Sequence, residues 1–185
     1  MKNNLEPREE IESIIKQSAI DRKRFFEVDK FSYKAIQNKV IAKFINIERQ
    51  FDFNLHRGYL RYNPKLRYIE IGYRKSSEWW EWFRLLPQIL KGSMDAVYVI
   101  FVGDDYTWVY EGYIPELIEI LFQGSPIGDG DCYIVSKKYE WLIGYSDDGD
   151  VVTCVDNGTF FDMDMLNVLE NIKICLRAKC HLPRS

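Results

Sequence analysis

Apolar residues recur at helical spacing in the first part of the chain. Over 7–20, Ile11, Ile14, Ile15 and Ala19 share one stripe, and Pro7 suits a first turn, where its missing N–H costs nothing. Ser32 can cap a second helix in which Ile36, Val40, Ile41, Phe44 and Ile45 form the repeating face, ending near Asn46. From Phe51 to Tyr73 the period shortens toward two. The run YLRY, the turn Asn63-Pro64-Lys65 and the run LRYIEIGY, with Ile69, Ile71 and Tyr73 alternating, predict a hairpin. Ser77 then precedes EWWEWFRLLPQIL, a third helical pattern that Pro87 should kink or end.

The second half reads differently. AVYVIFV is uninterrupted and apolar, as expected of a strand buried on both faces, and the turn Gly103-Asp104-Asp105 leads to a partner strand, TWVYE. IPELIEILFQG has Pro115 in a first turn and Gly124 where a helix would stop. Cys132–Val135, Tyr139–Tyr145 and Asp150–Val155 follow with connections too short for crossovers, so they must pair antiparallel as a meander. Asp164 can cap a last helix with Met165, Leu169, Ile172 and Leu176 on its buried stripe. The pattern predicts one α+β domain over residues 1–185: a mainly antiparallel sheet with an N-terminal helical pair, a C-terminal three-stranded meander and a C-terminal helix.

With 46% hydrophobic and 29% charged residues the chain has the composition of a folded domain, and 185 residues suffice to bury one core. The longest apolar run, Ala96 to Val102, is far short of the roughly 20 residues that span a bilayer. The charged N-terminal stretch does not resemble a secretory signal, so the expectation is a soluble, cytoplasmic protein with no membrane role. In that setting Cys132, Cys154, Cys175 and Cys180 are expected to be thiols, and Cys132 and Cys154, on the first and third meander strands, to be core residues.

Net charge is −3, but it is unevenly placed. Residues 1–91 hold 19 Lys and Arg against 12 Asp and Glu, whereas 92–185 hold 6 against 16. Either the halves attract one another or one face meets a basic partner. Between Gly103 and Asp164 fourteen acidic residues face only Lys137 and Lys138, which would repel nucleic acid. The cations of the first half, among them Arg22-Lys23-Arg24, Arg57, Arg61 and Arg67, are scattered as on a solvated face.

Few residues are suited to catalysis. No phosphate-binding, dinucleotide-binding or H-E-x-x-H pattern is present, and the only histidines, His56 and His181, sit in a strand pattern and near the chain end. Cys175, Cys180 and His181 lack the spacing and number of zinc ligands. No catalytic residue, metal site or cofactor is therefore expected. The strongest candidates are acidic residues in predicted turns: Asp104 and Asp105, Asp129 and Asp131, and Asp147, Asp148 and Asp150. Asp and Gly are also what tight turns require, and gathered carboxylates can hold Mg²⁺ or Ca²⁺, though the spacing of a calcium loop is missing. Tyr106 and Trp108, with Tyr110 and Tyr113, add rings that anchor interfaces when exposed and fill cores when not; Trp79, Trp80 and Trp82 pose the same choice.

The stretch DAVYVIFVGDDYTWVYEGYIPELIEILFQG, followed by DCYIVSKKYEWLIGYSDDGDVV, resembles an uncharacterised family of small bacterial proteins, with YEWLIGYSDDGD as its most specific tag. The first 90 residues add nothing to this resemblance. More distantly the chain looks like immunity proteins of bacterial toxin systems, including the SUKH superfamily, in which an acidic α+β domain neutralises a toxin by binding it. No active site comes with either resemblance. Together with the charge pattern they imply a non-catalytic protein-binding module that offers Asp104, Asp105, Tyr106, Trp108, Asp129, Asp131, Asp147, Asp148 and Asp150 to a basic protein partner. A metal-dependent enzyme using the clustered Asp residues and a self-associating structural protein are the alternatives.

Overall fold

A computed structural model describes residues 7–46, 62–72, 90, 95–103, 106–123, 131–146, 151–158 and 160. Its elements in chain order are α1 (Pro7–Gln17), β1 (Phe25–Glu27), α2 (Lys30–Phe44), β2 (Arg67–Gly72), β3 (Val97–Val102), β4 (Thr107–Gly112), α3 (Ile114–Gln123), β5 (Asp131–Ser136), β6 (Trp141–Ser146) and β7 (Val151–Asp156). The strands make one seven-stranded sheet in the order β1-β4-β3-β5-β6-β7-β2, antiparallel at every pairing. This is the expected α+β class with a mainly antiparallel sheet.

Period-two alternation divides the core into two layers. Val97, Val99 and Phe101 of β3 point to the side where Ile11, Ile14 and Ile15 of α1 and Leu117, Ile120 and Leu121 of α3 pack. Ile100 and Val102 point to the other side, against Ile36, Val40 and Phe44 of α2. Hence the run Val97–Val102 is apolar without interruption: β3 is central and covered on both faces. The two expected N-terminal helices are both present. They cover opposite faces of the sheet, with β1 between them in the chain.

α1 stops at Gln17, earlier than its apolar stripe predicts. Ala19 takes the left-handed position (φ 51°) that usually falls to glycine, and Ile20 N–H reaches back to the Ile15 carbonyl at 3.0 Å. α2 is capped not by Ser32 but by Asp29, whose Oδ1 accepts the Phe31 N–H at 2.8 Å. β1 carries no signal in the sequence, because three residues are too few to show a period. It is seated by Gly112 of β4, where a Cβ would lie 2.3 Å from a Phe25 ring carbon and 2.9 Å from the Arg24 carbonyl oxygen.

The first run of the predicted hairpin, YLRY, lies outside the described residues except for Tyr62, and the second run, LRYIEIGY, supplies β2, whose pairing among the described strands is long-range. β2 lies at the sheet edge against β7, and Tyr62 makes an isolated bridge with Ile45. The physical reason is side-chain matching: Arg67 sits opposite Asp156 and Ile69 opposite Cys154, next to the apolar core. The meander β5-β6-β7 forms as predicted. α3 connects β4 to β5, which flank β3 and run in the same direction. The third helical pattern after Ser77, except for buried Leu90, and the C-terminal helix after Asp164 lie outside the described residues, as do Trp79, Trp80 and Trp82.

Candidate functional site

The strand register brings several chain ends together. Val102 of β3 is opposite both Thr107 of β4 and Asp131 of β5, Cys132 is opposite Tyr145 of β6, and Val151 of β7 is opposite both Ser146 and Gly72 of β2. One end of the sheet is therefore a rim of six adjacent strand ends, about 24 Å long at ~4.8 Å per strand. The chain leaves or re-enters this rim on either side of 104–105, 124–130 and 147–150. Those three segments contain Asp104, Asp105, Asp129, Asp147, Asp148 and Asp150 and no Lys or Arg. The six aspartates themselves lie outside the described residues.

Asp131 departs from its expected surface role. It opens β5 with 1% of its surface exposed, facing the α2 side. The Tyr133 hydroxyl, two residues on and on the same face, donates to Asp131 Oδ2 at 3.3 Å. Gly144 makes room for this arrangement, since a Cβ there would meet the Tyr133 ring and the Tyr62 hydroxyl at 3.1 Å. Burial first, then the neighbouring carboxylate, pushes the Tyr133 hydroxyl well above its ordinary value, so it stays protonated and acts as a donor. This is a polar joint inside the core, with no group poised as a nucleophile.

The two candidate rings are engaged within the fold. Tyr106 packs against the α1 side of the core and covers Gly103, where any Cβ would fall inside its ring. Trp108, also partly buried there, is held between cations, with the Arg8 guanidinium 5.0 Å and the Lys30 ammonium 4.9 Å from its ring centre. Its Nε1 is buried without a hydrogen-bond partner. Arg8 also donates to Glu27 at 2.8 Å, and the Tyr33 hydroxyl donates to the other Glu27 oxygen at 2.8 Å. Trp108 thus closes the seam where α1 and α2 meet the β1 edge, and Tyr110 beneath it stacks on Phe25.

Ion pairs consume part of the charge asymmetry. Arg24 and Arg67, from the basic half, hold Glu116 and Asp156 of the acidic half. Asp156 is fully buried. Arg67 grips it through two bonds, Nε to Oδ1 at 2.9 Å and Nη2 to Oδ2 at 2.7 Å, and the backbone N–H groups of Gly158 and Phe160 donate to the same two oxygens. Phe160 in turn lies on Trp141. Sequence reasoning passed over this pair, which only the β2–β7 register reveals. Lys137 and Lys138 stand at the far end of the sheet from the rim, paired with Glu111 and Asp95.

Among the described residues no three His, Cys, Asp or Glu side chains come together to hold a metal ion. Cys132 and Cys154 are free and buried, and desolvation first, then the Asp156 carboxylate, pushes the Cys154 thiol up to about 12. No described helix is long and apolar enough to cross a membrane. His56, His181, Cys175 and Cys180 lie outside the described residues.

The model of a family of unknown function, DUF6756, matches residues 3–160, and the chain belongs to that family. The match takes in the N-terminal half as well as the stretch that carried the sequence resemblance. No curated protein and no solved structure matches the chain.

Proposed function

We propose that the chain is a non-catalytic, cytoplasmic protein-binding module, immunity-like in manner, that offers an acidic rim to a basic protein partner. The observation that supports this reading is the shared rim: strand ends flanking three lysine-free, Asp-bearing segments lie side by side, while Lys137 and Lys138 are held at the far end of the sheet. Carboxylates gathered along one edge would raise the encounter rate of a basic protein and make binding fall with salt. Asp104, Asp105, Asp129, Asp147, Asp148 and Asp150 carry the proposal, with Tyr106 beside them. Buried Asp131 and the clasped Trp108 act from within, by holding the rim.

The test is retention of a partner from lysate on the immobilised chain and on a variant with these six aspartates changed to asparagine. The expected result is a partner held at low salt, released at high salt and absent from the variant. Equal retention by the variant, or no partner at low salt, would remove the proposal.

A further inference from the structure

We propose that the outer face of α2 is a docking seam for one acidic amphipathic helix of another protein, a surface separate from the rim. α2 carries four lysines and no acidic residue over its 15 residues. Ile36, Val40 and Phe44 turn into the core, and Phe31, Ala35, Asn38 and Ala42 are exposed on the opposite side. The steps between these four, of four, three and four residues, are those of a helix–helix seam. Phe31 is 95% exposed, which leaves a large ring in water at one end of the seam.

Small side chains at Ala35 and Ala42 let a second backbone approach closely, and Phe31 supplies the anchor. Lys34 and Lys39 occupy the two positions that flank such a seam and select a partner by charge. Both are exposed and neither is in an ion pair among the described residues; Lys39 lies 5.6 Å from the Tyr139 ring. Lys30 and Lys43 extend the basic margins outward.

This arrangement favours an occupant with glutamates or aspartates beside its own apolar stripe. A second copy of α2 is disfavoured, because the flanking lysines would face lysines. A lipid surface calls for several large apolar residues on this face, and Phe31 is the only one. The seam from Phe31 to Ala42 is about 17 Å long at ~1.5 Å per residue, which suits a weak, reversible contact.

Two synthetic helical peptides with the same apolar stripe, one flanked by glutamate and one by lysine, distinguish these cases by fluorescence anisotropy with the full chain. The glutamate peptide is expected to bind at least about tenfold more tightly than the lysine peptide at low salt, and Phe31→Ala to weaken it about tenfold. The double variant Lys34→Glu/Lys39→Glu should reverse the preference, a gain that misfolding would not produce. Equal binding of the two peptides, or a preference unchanged in the double variant, overturns the proposal. So does tighter α2-dependent binding to phosphatidylserine vesicles or to a DNA duplex than to the glutamate peptide.

Discussion

The Arg67–Asp156 pair offers the sharpest test of how this fold is held. Asp156 has no exposed surface, and among the described residues its two oxygens accept hydrogen bonds from the Arg67 guanidinium and from the backbone at Gly158 and Phe160. Replacing Asp156 by alanine leaves two backbone donors and a guanidinium without their acceptor, at a cost of about 3–5 kcal/mol. Arg67→Met costs less, about 1–3 kcal/mol, because the carboxylate keeps its two backbone donors. The Arg67 side chain is 30% exposed, so water compensates it in part once Asp156 is gone. The double variant should cost less than the two single changes added together, with a coupling of about 1–3 kcal/mol. Urea unfolding measures all three values, and hydrogen exchange at Arg67–Gly72 reports whether β2 leaves the sheet edge first. If Asp156→Ala costs under about 1 kcal/mol, or the two changes simply add, the pair is not the latch that holds β2 to β7.

Three further outcomes follow from the local chemistry. Ala19→Gly should stabilise the chain by about 1 kcal/mol, since an L side chain at φ 51° is strained and this residue is exposed; a lower melting temperature would contradict the helix-stop assignment. Hydrogen bonding to Arg22, followed by its charge, pulls the Glu12 carboxyl below its ordinary value against the opposing effect of burial. Its contribution is therefore present above about pH 4.3 and lost as pH falls through the lowered folded value, and Glu12→Gln and the parent should converge there in denaturant titrations, by under about 1 kcal/mol because the pair is partly exposed. The Cys154 thiol is raised, so stability should be whole below about pH 8.5 and decline as pH climbs toward the folded value; Cys154→Ala should flatten that decline, and with Cys175 and Cys180 replaced by alanine no thiol should react with a disulfide reagent at neutral pH until the chain unfolds.

What could be read in advance was whatever repeats locally. The stripe of α1, the two-sided burial of Val97–Val102, the Pro115 and Gly124 limits of α3 and the short links of the meander all have a period or a turn signal that a single chain displays. β1 and the partner of β2 do not. Phe25–Glu27 is a strand because β4 offers Gly112 as a seat, and β2 finds β7, some 80 residues along the chain, because Arg67 and Ile69 match Asp156 and Cys154. The same limit applies to the candidate site. A run of aspartates shows where turns fall, but burial of Asp131 depends on a gap at Gly144 two strand positions away, and the fate of Trp108 depends on Arg8 and Lys30 from two different helices.

The charge asymmetry along the chain therefore has more than one origin. One part is structural: Arg24 with Glu116 and Arg67 with Asp156 join the basic half to the acidic half, so an excess of each sign in each half is what the fold itself uses. Another is local, since Arg8 with Glu27 and Lys137 with Glu111 balance within a half. These pairs lie along the helix seams and the lysine end of the sheet, away from the rim that borders the Asp-bearing segments. Charge that folding requires is paired at short range and partly shielded from salt, whereas charge that serves a partner acts at a distance and is screened. The salt dependence of partner binding, set against that of unfolding, separates the two: an acidic rim that serves a partner should lose its attraction in salt under conditions where the Arg67–Asp156 latch still holds.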